Sequence, residues 1–201
     1  MRIRSAFCAV ALTAALLSPA VAAEPVATAP KGQAAAATSP QPQSRLDTLF
    51  AELKRERNEK AAERIAARIW DEWNHSGSAS IDLMMGWSKT AMESKKYDVA
   101  LDFLDQIVTM DPGYAEGWNR RATVHFLMNN YAKSMADIHH TLQLEPRHFG
   151  ALSGMGQIMK SSGRDELALQ AWQRVLDIYP MMRSAQSEVS TLSEDLAGEG
   201  I

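Results

Sequence analysis

Three prolines, each 34 residues from the next, constrain the fold of this chain more than any other sequence feature. They are Pro112, Pro146 and Pro180. A fixed period of this length is typical of supersecondary units that stack and bury their apolar faces together. Because proline cannot continue a helix, each one predicts the end of a unit. With proline at position 32, the units comprise residues 81–114, 115–148 and 149–182.

Small and large apolar residues recur at the same positions of these units. Positions 8 and 20 are small in all three, where they hold Ser88 and Ala100, Ala122 and Ser134, Gly156 and Ala168. Large apolar residues three or four apart around them predict an apolar stripe on each of two helices. The small residues let the two helices approach closely. Three tryptophans are predicted to lie in this core: Trp87, Trp118 and Trp172.

Position 15 of each unit corresponds to the turn between the two helices. This place favours a residue that tolerates the left-handed backbone conformation, which is usually glycine. Gly163 occupies it in the third unit and Asn129 in the second, whereas Lys95 in the first departs from the pattern. We therefore predict a helix-turn-helix in each unit, and Lys95 is an unfavourable residue for the turn of the first unit.

These three units, in phase and without insertions, resemble the tetratricopeptide repeat family over about half of the chain. The second unit, which begins Ala-Glu-Gly-Trp-Asn at residue 115, matches most clearly. The resemblance implies an all-α fold, a right-handed solenoid of helix-turn-helix repeats with a C-terminal capping helix. The plan of the whole chain looks like that of exported tetratricopeptide proteins in α-proteobacteria.

Weaker helical patterns flank the three units. Residues 45–80 fit the same frame as a degenerate N-terminal helix pair, with Trp70 and Trp73 at core positions. Terminal repeats are expected to be atypical because one of their faces meets water. Residues 183–201 predict an amphipathic capping helix and a short tail.

The first 44 residues read as an export signal and a spacer. Residues 1–23 combine two arginines, an apolar run from Ala6 to Leu17 and small residues at 20–23, which fit cleavage after Ala22 or after Ala23. Residues 24–44 are rich in Ala, Pro, Thr, Ser and Gln and predict a disordered linker. We expect export to the periplasm, and secretion beyond it is the alternative.

Composition and spacing argue against several classes of function. Loss of residues 1–23 would leave 19 basic and 24 acidic residues, which gives no basic footprint for nucleic acid. No segment after residue 23 is apolar for long enough to span a membrane. The one cysteine, Cys8, lies in the signal. We find no catalytic motif and no cofactor or metal pattern, so we predict a protein that is not an enzyme.

The histidines offer no metal-ligand spacing. His139, His140 and His148 are predicted to lie on the surface near a helix end. His125 occupies a position that is usually a tyrosine within the helix pair, so we predict a packed, hydrogen-bonded histidine.

In the family that these units resemble, the first helix of each unit lines a concave face on which partners bind. Carried over by repeat position, nine side chains are predicted to line it: Met85, Lys89, Met92, Asn119, Thr123, Phe126, Ser153, Gln157 and Lys160. They offer amides, hydroxyls, two cations and an apolar patch to a protein or peptide partner. The lysine and asparagine pair with which some members clamp a C-terminal carboxylate is absent, so binding of chaperone tails is not supported.

The sequence therefore favours an adaptor that binds another protein on its concave face and serves the cell envelope. The alternative is a structural module that forms homo-oligomers through the solenoid ends or the groove. An enzyme with an unrecognised site ranks last.

Overall fold

The computed structural model describes residues 42–198, with side chains from residue 44. The predicted signal (1–23) and most of the predicted linker (24–44) lie outside this range. The described part is all-α and contains no strand; its helices are α1 (Pro42–Arg55), α2 (Glu59–Trp73), α3 (Ala79–Glu93), α4 (Tyr97–Met110), α5 (Ala115–Leu127), α6 (Tyr131–Leu144), α7 (Phe149–Ser161), α8 (Asp165–Ile178) and α9 (Arg183–Gly198). Helix α1 thus begins three residues inside the predicted linker, at a proline, which the first position of a helix tolerates.

Helices α3 to α8 form three stacked helix pairs, α3–α4, α5–α6 and α7–α8. The small residues predicted at positions 8 and 20 are all buried at the crossings. Gly156 shows why the size matters, because a Cβ atom at this residue would lie 2.6 Å from Nε1 of Trp172. The all-α repeat solenoid predicted from the period is confirmed.

The three turns between paired helices share one geometry. Lys95, Asn129 and Gly163 adopt positive φ angles of 56°, 58° and 65°. The residue after each of them donates its backbone N–H to a carbonyl five residues earlier, as Lys96 does to Ala91 at 2.8 Å. This is the Schellman arrangement, in which a left-handed residue ends a helix. Lys95 therefore holds a conformation that costs a side-chain-bearing residue free energy.

The N-terminal helix pair, α1–α2, does not stack on α3 as the degenerate repeat in residues 45–80 was expected to do. Helix α1 ends at Arg55, which is position 9 of the frame, so the turn comes too early for a repeat. The carboxylate of Glu56 accepts hydrogen bonds from the backbone N–H groups of Arg57 and Asn58, both at 2.7 Å. Asn58 in turn caps α2 by accepting from Ala61 N at 3.0 Å. These local bonds fix a helical hairpin whose turn lies at residues 56–58, unlike the later turn of a repeat.

The helix pair packs instead against the third unit and α9. Its buried residues Leu49, Phe50, Leu53, Ile69 and Trp73 share one core with residues of α7, α8 and α9. The Trp70 ring lies against Gly150, where a Cβ atom would come within 2.7 Å of it. The first unit keeps a separate core around Leu104 and Ile107.

The predicted core tryptophans differ in their surroundings. Trp172 is 2% exposed, as predicted, and Trp118 is partly buried against the ring of His140, 3.9 Å away. Trp87 is 48% exposed, which corrects the prediction of a core residue. Position 7 of a unit faces the preceding unit, and the first unit has no helix stacked on that side.

Helix α9 closes the other end of the solenoid. Ala185 and Leu192 are buried against α8 and the N-terminal helix pair, while most of the remaining α9 side chains reach solvent. Within residues 42–198, no helix has both the length and the hydropathy that crossing a bilayer requires.

Replacing Lys95 by glycine should raise the free energy of unfolding by about 0.5–1 kcal/mol, because glycine adopts the left-handed conformation without a Cβ clash. Thermal or urea unfolding followed by circular dichroism measures the change. Lys133→Gly, on an exposed part of α6, is the matched control and should lower stability by about 1 kcal/mol. A Lys95→Gly variant that is less stable than the parent would contradict the assignment.

Candidate functional site

A cleft opens on the concave side between the first helices of the second and third units. Its volume is about 190 Å³, and its floor is formed by Ser134 and Ile138 of α6. Five of the nine predicted side chains line it, namely Asn119, Thr123 and Phe126 of α5 and Ser153 and Gln157 of α7. We call this region the concave cleft. The repeat frame brings these residues together because equivalent positions of adjacent units share one face.

The other four predicted residues lie outside the concave cleft. Met85 is 5% exposed and belongs to the core of the first unit, so it does not line a groove as predicted. Met92 packs partly against the same core. Lys89 is exposed, with its Nζ 3.9 Å from a carboxylate oxygen of Glu93.

Lys160 is held in an ion pair. Its Nζ lies 2.7 Å from a carboxylate oxygen of Glu188 on α9. Neither predicted lysine therefore presents an unpaired charge to the concave cleft.

Hydrogen bonds within the protein restrict what the cleft can offer. The side-chain amide of Asn119 is buried and donates to Oε2 of Glu116 at 2.9 Å, so it is not the free donor that was predicted. The hydroxyls of Thr123 and Ser153 donate to carbonyls of their own helices at 3.0 and 2.7 Å. Each of these hydroxyl oxygens, both of which line the cleft, keeps the capacity to accept a hydrogen bond.

Gln157 is the freest polar group of the concave cleft. Its side chain is exposed, and among the described residues its amide makes no side-chain hydrogen bond. Phe126 adds a partly buried ring, 5.6 Å from the ring of Tyr131. An exposed amide beside an apolar ring suits an extended peptide segment.

A buried polar cluster joins the N-terminal helix pair to the repeats. His148 is 0% exposed, with its Nε2 3.2 Å from Oε2 of Glu116, while its Nδ1 accepts the backbone N–H of Ala151 at 3.1 Å. Because Nδ1 accepts, the ring proton lies on Nε2 and is donated to Glu116. Trp73 stacks on the same imidazole, with centroids 4.0 Å apart and an interplanar angle of 5°.

This cluster corrects one prediction, because His148 is buried rather than on the surface. Glu116 beside it is 2% exposed. Arg120 donates to Glu116 at 2.7 Å and to Oδ1 of Asn74 at 2.9 Å. No sequence motif marks the cluster, because its members come from three helices and the loop before α7.

The charge of Glu116 is stabilised by its partners. Burial raises the pKa of its carboxyl group, but the hydrogen bond from His148 and the guanidinium of Arg120 outweigh this effect. The net result is a pKa below the ordinary value of a glutamate.

His125 is packed within its helix pair, as predicted, but its Nδ1 makes no hydrogen bond. Burial lowers the pKa of its imidazole. Within residues 44–198, no three His, Cys, Asp or Glu side chains are arranged to hold a metal ion.

The comparisons with known proteins agree with the repeat architecture. No family model matches the chain. A TPR repeat-containing protein of Rhizobium etli is 57% identical over 160 residues, which cover 80% of this chain and 78% of that protein. The chain therefore belongs to the tetratricopeptide repeat family, whose members generally mediate protein–protein interactions.

Solved structures show the same fold at lower identity. The first TPR of Spaghetti (RPAP3) bound to an HSP90 peptide has a TM-score of 0.56 and 23% identity, covering 58% of this chain and 93% of that one. MamA has a TM-score of 0.55 and 17% identity, covering 69% of this chain and 81% of that one.

Glu116→Gln should lower the free energy of unfolding at pH 7 by about 3 kcal/mol, because it leaves the Arg120 charge without its buried partner. It should also change the acid dependence. A carboxyl whose pKa is lowered by folding stabilises the protein above its unfolded pKa, about 4.3, and this contribution is lost as pH falls through the folded value. Urea unfolding between pH 7 and pH 3 should show a shallower decline for the variant.

Glu166→Gln is the matched control for this measurement, because Glu166 is exposed on α8. Its stability profile should follow that of the parent. Parallel profiles for the parent and Glu116→Gln would show that the Glu116 carboxyl is not stabilised in its charged form.

Proposed function

We propose that this protein is an exported adaptor that binds an extended segment of a partner protein in the concave cleft. The observation that carries the proposal is the cleft itself, which gathers Thr123, Phe126, Ser153 and Gln157 from adjacent repeats. Membership of a family that generally mediates protein–protein interactions supports it. The similar first TPR of Spaghetti supports it by analogy, since that domain is bound to an HSP90 peptide.

The chemistry of the cleft indicates the class of segment. Lys89 and Lys160 each have an acidic neighbour, and Arg120 is bonded to Glu116, so little positive charge is left for an acidic ligand. The remaining groups are an amide, two hydroxyl oxygens and the ring of Phe126. We therefore expect an uncharged segment that combines hydrogen-bonding groups with one apolar side chain.

The spacing of the helices sets the length that this segment needs. Packed helices lie about 8–10 Å apart, and an extended chain advances about 3.3 Å per residue. About three extended residues therefore cross from α5 to α7. So short a contact gives modest affinity, which fits a reversible adaptor better than a permanent complex.

Double substitution of Thr123→Arg and Gln157→Arg should reduce partner capture, because two long charged side chains would fill the concave cleft. Crosslinking in intact cells of the native host, followed by affinity purification and mass spectrometry, measures the loss. We expect at least a tenfold drop in the recovered partner, which corresponds to about 1.4 kcal/mol.

The matched control carries two arginines on another face, Gln170→Arg with Gln173→Arg on α8. Both glutamines are exposed. The control should retain the partner, and circular dichroism should show equal helicity for all three proteins. A partner that survives the cleft substitutions would place the binding site elsewhere.

We place this adaptor in the periplasm, where it would assist the assembly or maintenance of the cell envelope. The support is the sequence of residues 1–23, with its basic start, apolar run and small residues before the linker. The α-proteobacterial relative is compatible with a periplasmic compartment.

Protein recovered from the native host should begin at Ala23 or Glu24. Intact-mass measurement and cell fractionation test this expectation. Leu12→Arg with Leu16→Arg should keep the full-length chain in the cytoplasm, because the charges interrupt the apolar run. The conservative Leu12→Val change should leave export intact, whereas an unprocessed wild-type chain in the cytoplasm would refute the assignment.

A further inference from the structure

The outer face of the first unit is apolar and open. Leu83, Trp87 and Val99 are 53%, 48% and 43% exposed, and the ring of Trp87 lies 5.5 Å from that of Phe103. A hollow of about 430 Å³ opens beside these rings, between α3 and α4. We call Leu83, Gly86, Trp87, Val99 and Phe103 the first-unit face. Clustered exposed apolar residues of this kind usually mark an interaction site.

In the later units, a preceding helix covers the positions equivalent to Leu83 and Gly86. A Cβ atom on Gly117, at the position of Leu83, would lie 2.9 Å from Ile107 of α4. A Cβ atom on Gly154, at the position of Gly86, would lie 3.4 Å from Ile138 of α6. A Cβ atom on Gly86 itself would lie more than 4 Å from every neighbouring side chain and helix of the described part of the chain. The first-unit face therefore corresponds to the surface on which a preceding helix packs in the later units. No helix of the described chain covers it in the first unit.

The N-terminal helix pair does not provide that helix. Trp70 and Trp73 of α2 pack against Phe149 and His148. The rings of Trp73 and His148 are stacked with centroids 4.0 Å apart, and the centroids of the other three ring pairs are 5.1–5.5 Å apart. The segment between α2 and α3 is also fixed, because Oδ1 of Asp82 accepts both the backbone N–H and the hydroxyl of Ser76 at 2.9 and 2.6 Å.

We infer that the first-unit face joins two copies of this chain in a symmetric dimer. A two-fold contact uses the same patch on both partners, so that patch must supply both a projecting and a receiving element. Here the half-exposed Trp87 ring projects, while Gly86 and the adjacent hollow can receive it. Among residues 44–198, Lys96 is the one charged side chain that lines the hollow, so two copies would oppose few like charges.

The size of the face indicates how strong such a dimer is. Helices α3 and α4, of 15 and 14 residues, are about 21–22 Å long at 1.5 Å per residue. Side by side they are about 20 Å wide. A patch of these dimensions measures about 400 Å² per copy, which falls below standard specific interfaces and in the range of weak, transient contacts, so we expect a dimer that dissociates on dilution. A tryptophan in the patch is the kind of residue that dominates such contacts.

Sedimentation equilibrium of the chain beginning at residue 24, over a wide concentration range, tests the inference. The apparent mass should rise from one to two chains with concentration. Leu83→Gln with Trp87→Gln should remain monomeric throughout. Val99→Lys should raise the dissociation constant at least about tenfold, because it places two like charges in the contact.

Leu167→Lys is the matched control. Leu167 occupies the same repeat position in the third unit as Val99 does in the first, and it is 45% exposed. This variant should dimerise like the parent. The Thr123→Arg, Gln157→Arg protein should also dimerise, so the test of the dimer is independent of the test of the proposed cleft. A parent that is monomeric at every concentration, or a dimer that persists in both first-unit variants, would overturn the inference.

Discussion

The contact between Trp73 and His148 determines how the two ends of this solenoid differ. The imidazole of His148 stacks on Trp73, caps α7 through Ala151 and donates to Glu116 of α5. One buried side chain thus joins α2, α5 and α7. His148, Glu116 and Arg120 are bonded to one another or to the backbone, and a buried network of such bonds favours a single arrangement over its competitors. This network fixes the N-terminal helix pair on the second and third units.

The consequence is an asymmetric distribution of apolar surface. The N-terminal helix pair adds its own buried residues to the core of α7, α8 and α9. Peripheral ion pairs such as Arg183 with Glu59 and Arg147 with Asp47 accompany this packing, but exposed pairs contribute little to stability. The third unit is therefore covered on both sides, while the first unit keeps an open face. Hydrophobic burial and the His148 network, rather than the exposed ion pairs, explain which end is closed.

The sequence predicted the parts of the fold that depend on local spacing. Helix pairs, close crossings at small residues and left-handed turns follow from the 34-residue period, and the structure contains them. The period could not predict which surface the N-terminal pair would cover. Trp70 and Trp73 have the same helical spacing whether they pack on α3 or on Phe149, because periodicity defines a face but not its partner. The signal available in the sequence was Asn58, a residue type that begins helices, placed too early for the turn of a repeat.

The sequence predicted which residues share the candidate site, but it did not predict their hydrogen-bond partners. Equivalent positions converge on the concave cleft, but the sequence could not show that Asn119 bonds to Glu116 or that Lys160 pairs with Glu188. Such partners come from other helices and depend on how the helices pack. His148 escaped prediction for the same reason, since a histidine after an Arg has no pattern that marks burial.

The concave cleft and the first-unit face differ in chemistry and use different helices. The cleft combines polar and apolar groups of α5, α6 and α7, whereas the first-unit face is mainly apolar and lies on α3 and α4. Occupying one therefore leaves the other accessible. Two copies joined through their first units would carry two clefts, and a partner with two suitable segments would bind the second cleft at a high effective concentration. A short, weak groove contact would then suffice for stable capture of a multivalent partner and quick release of a monovalent one.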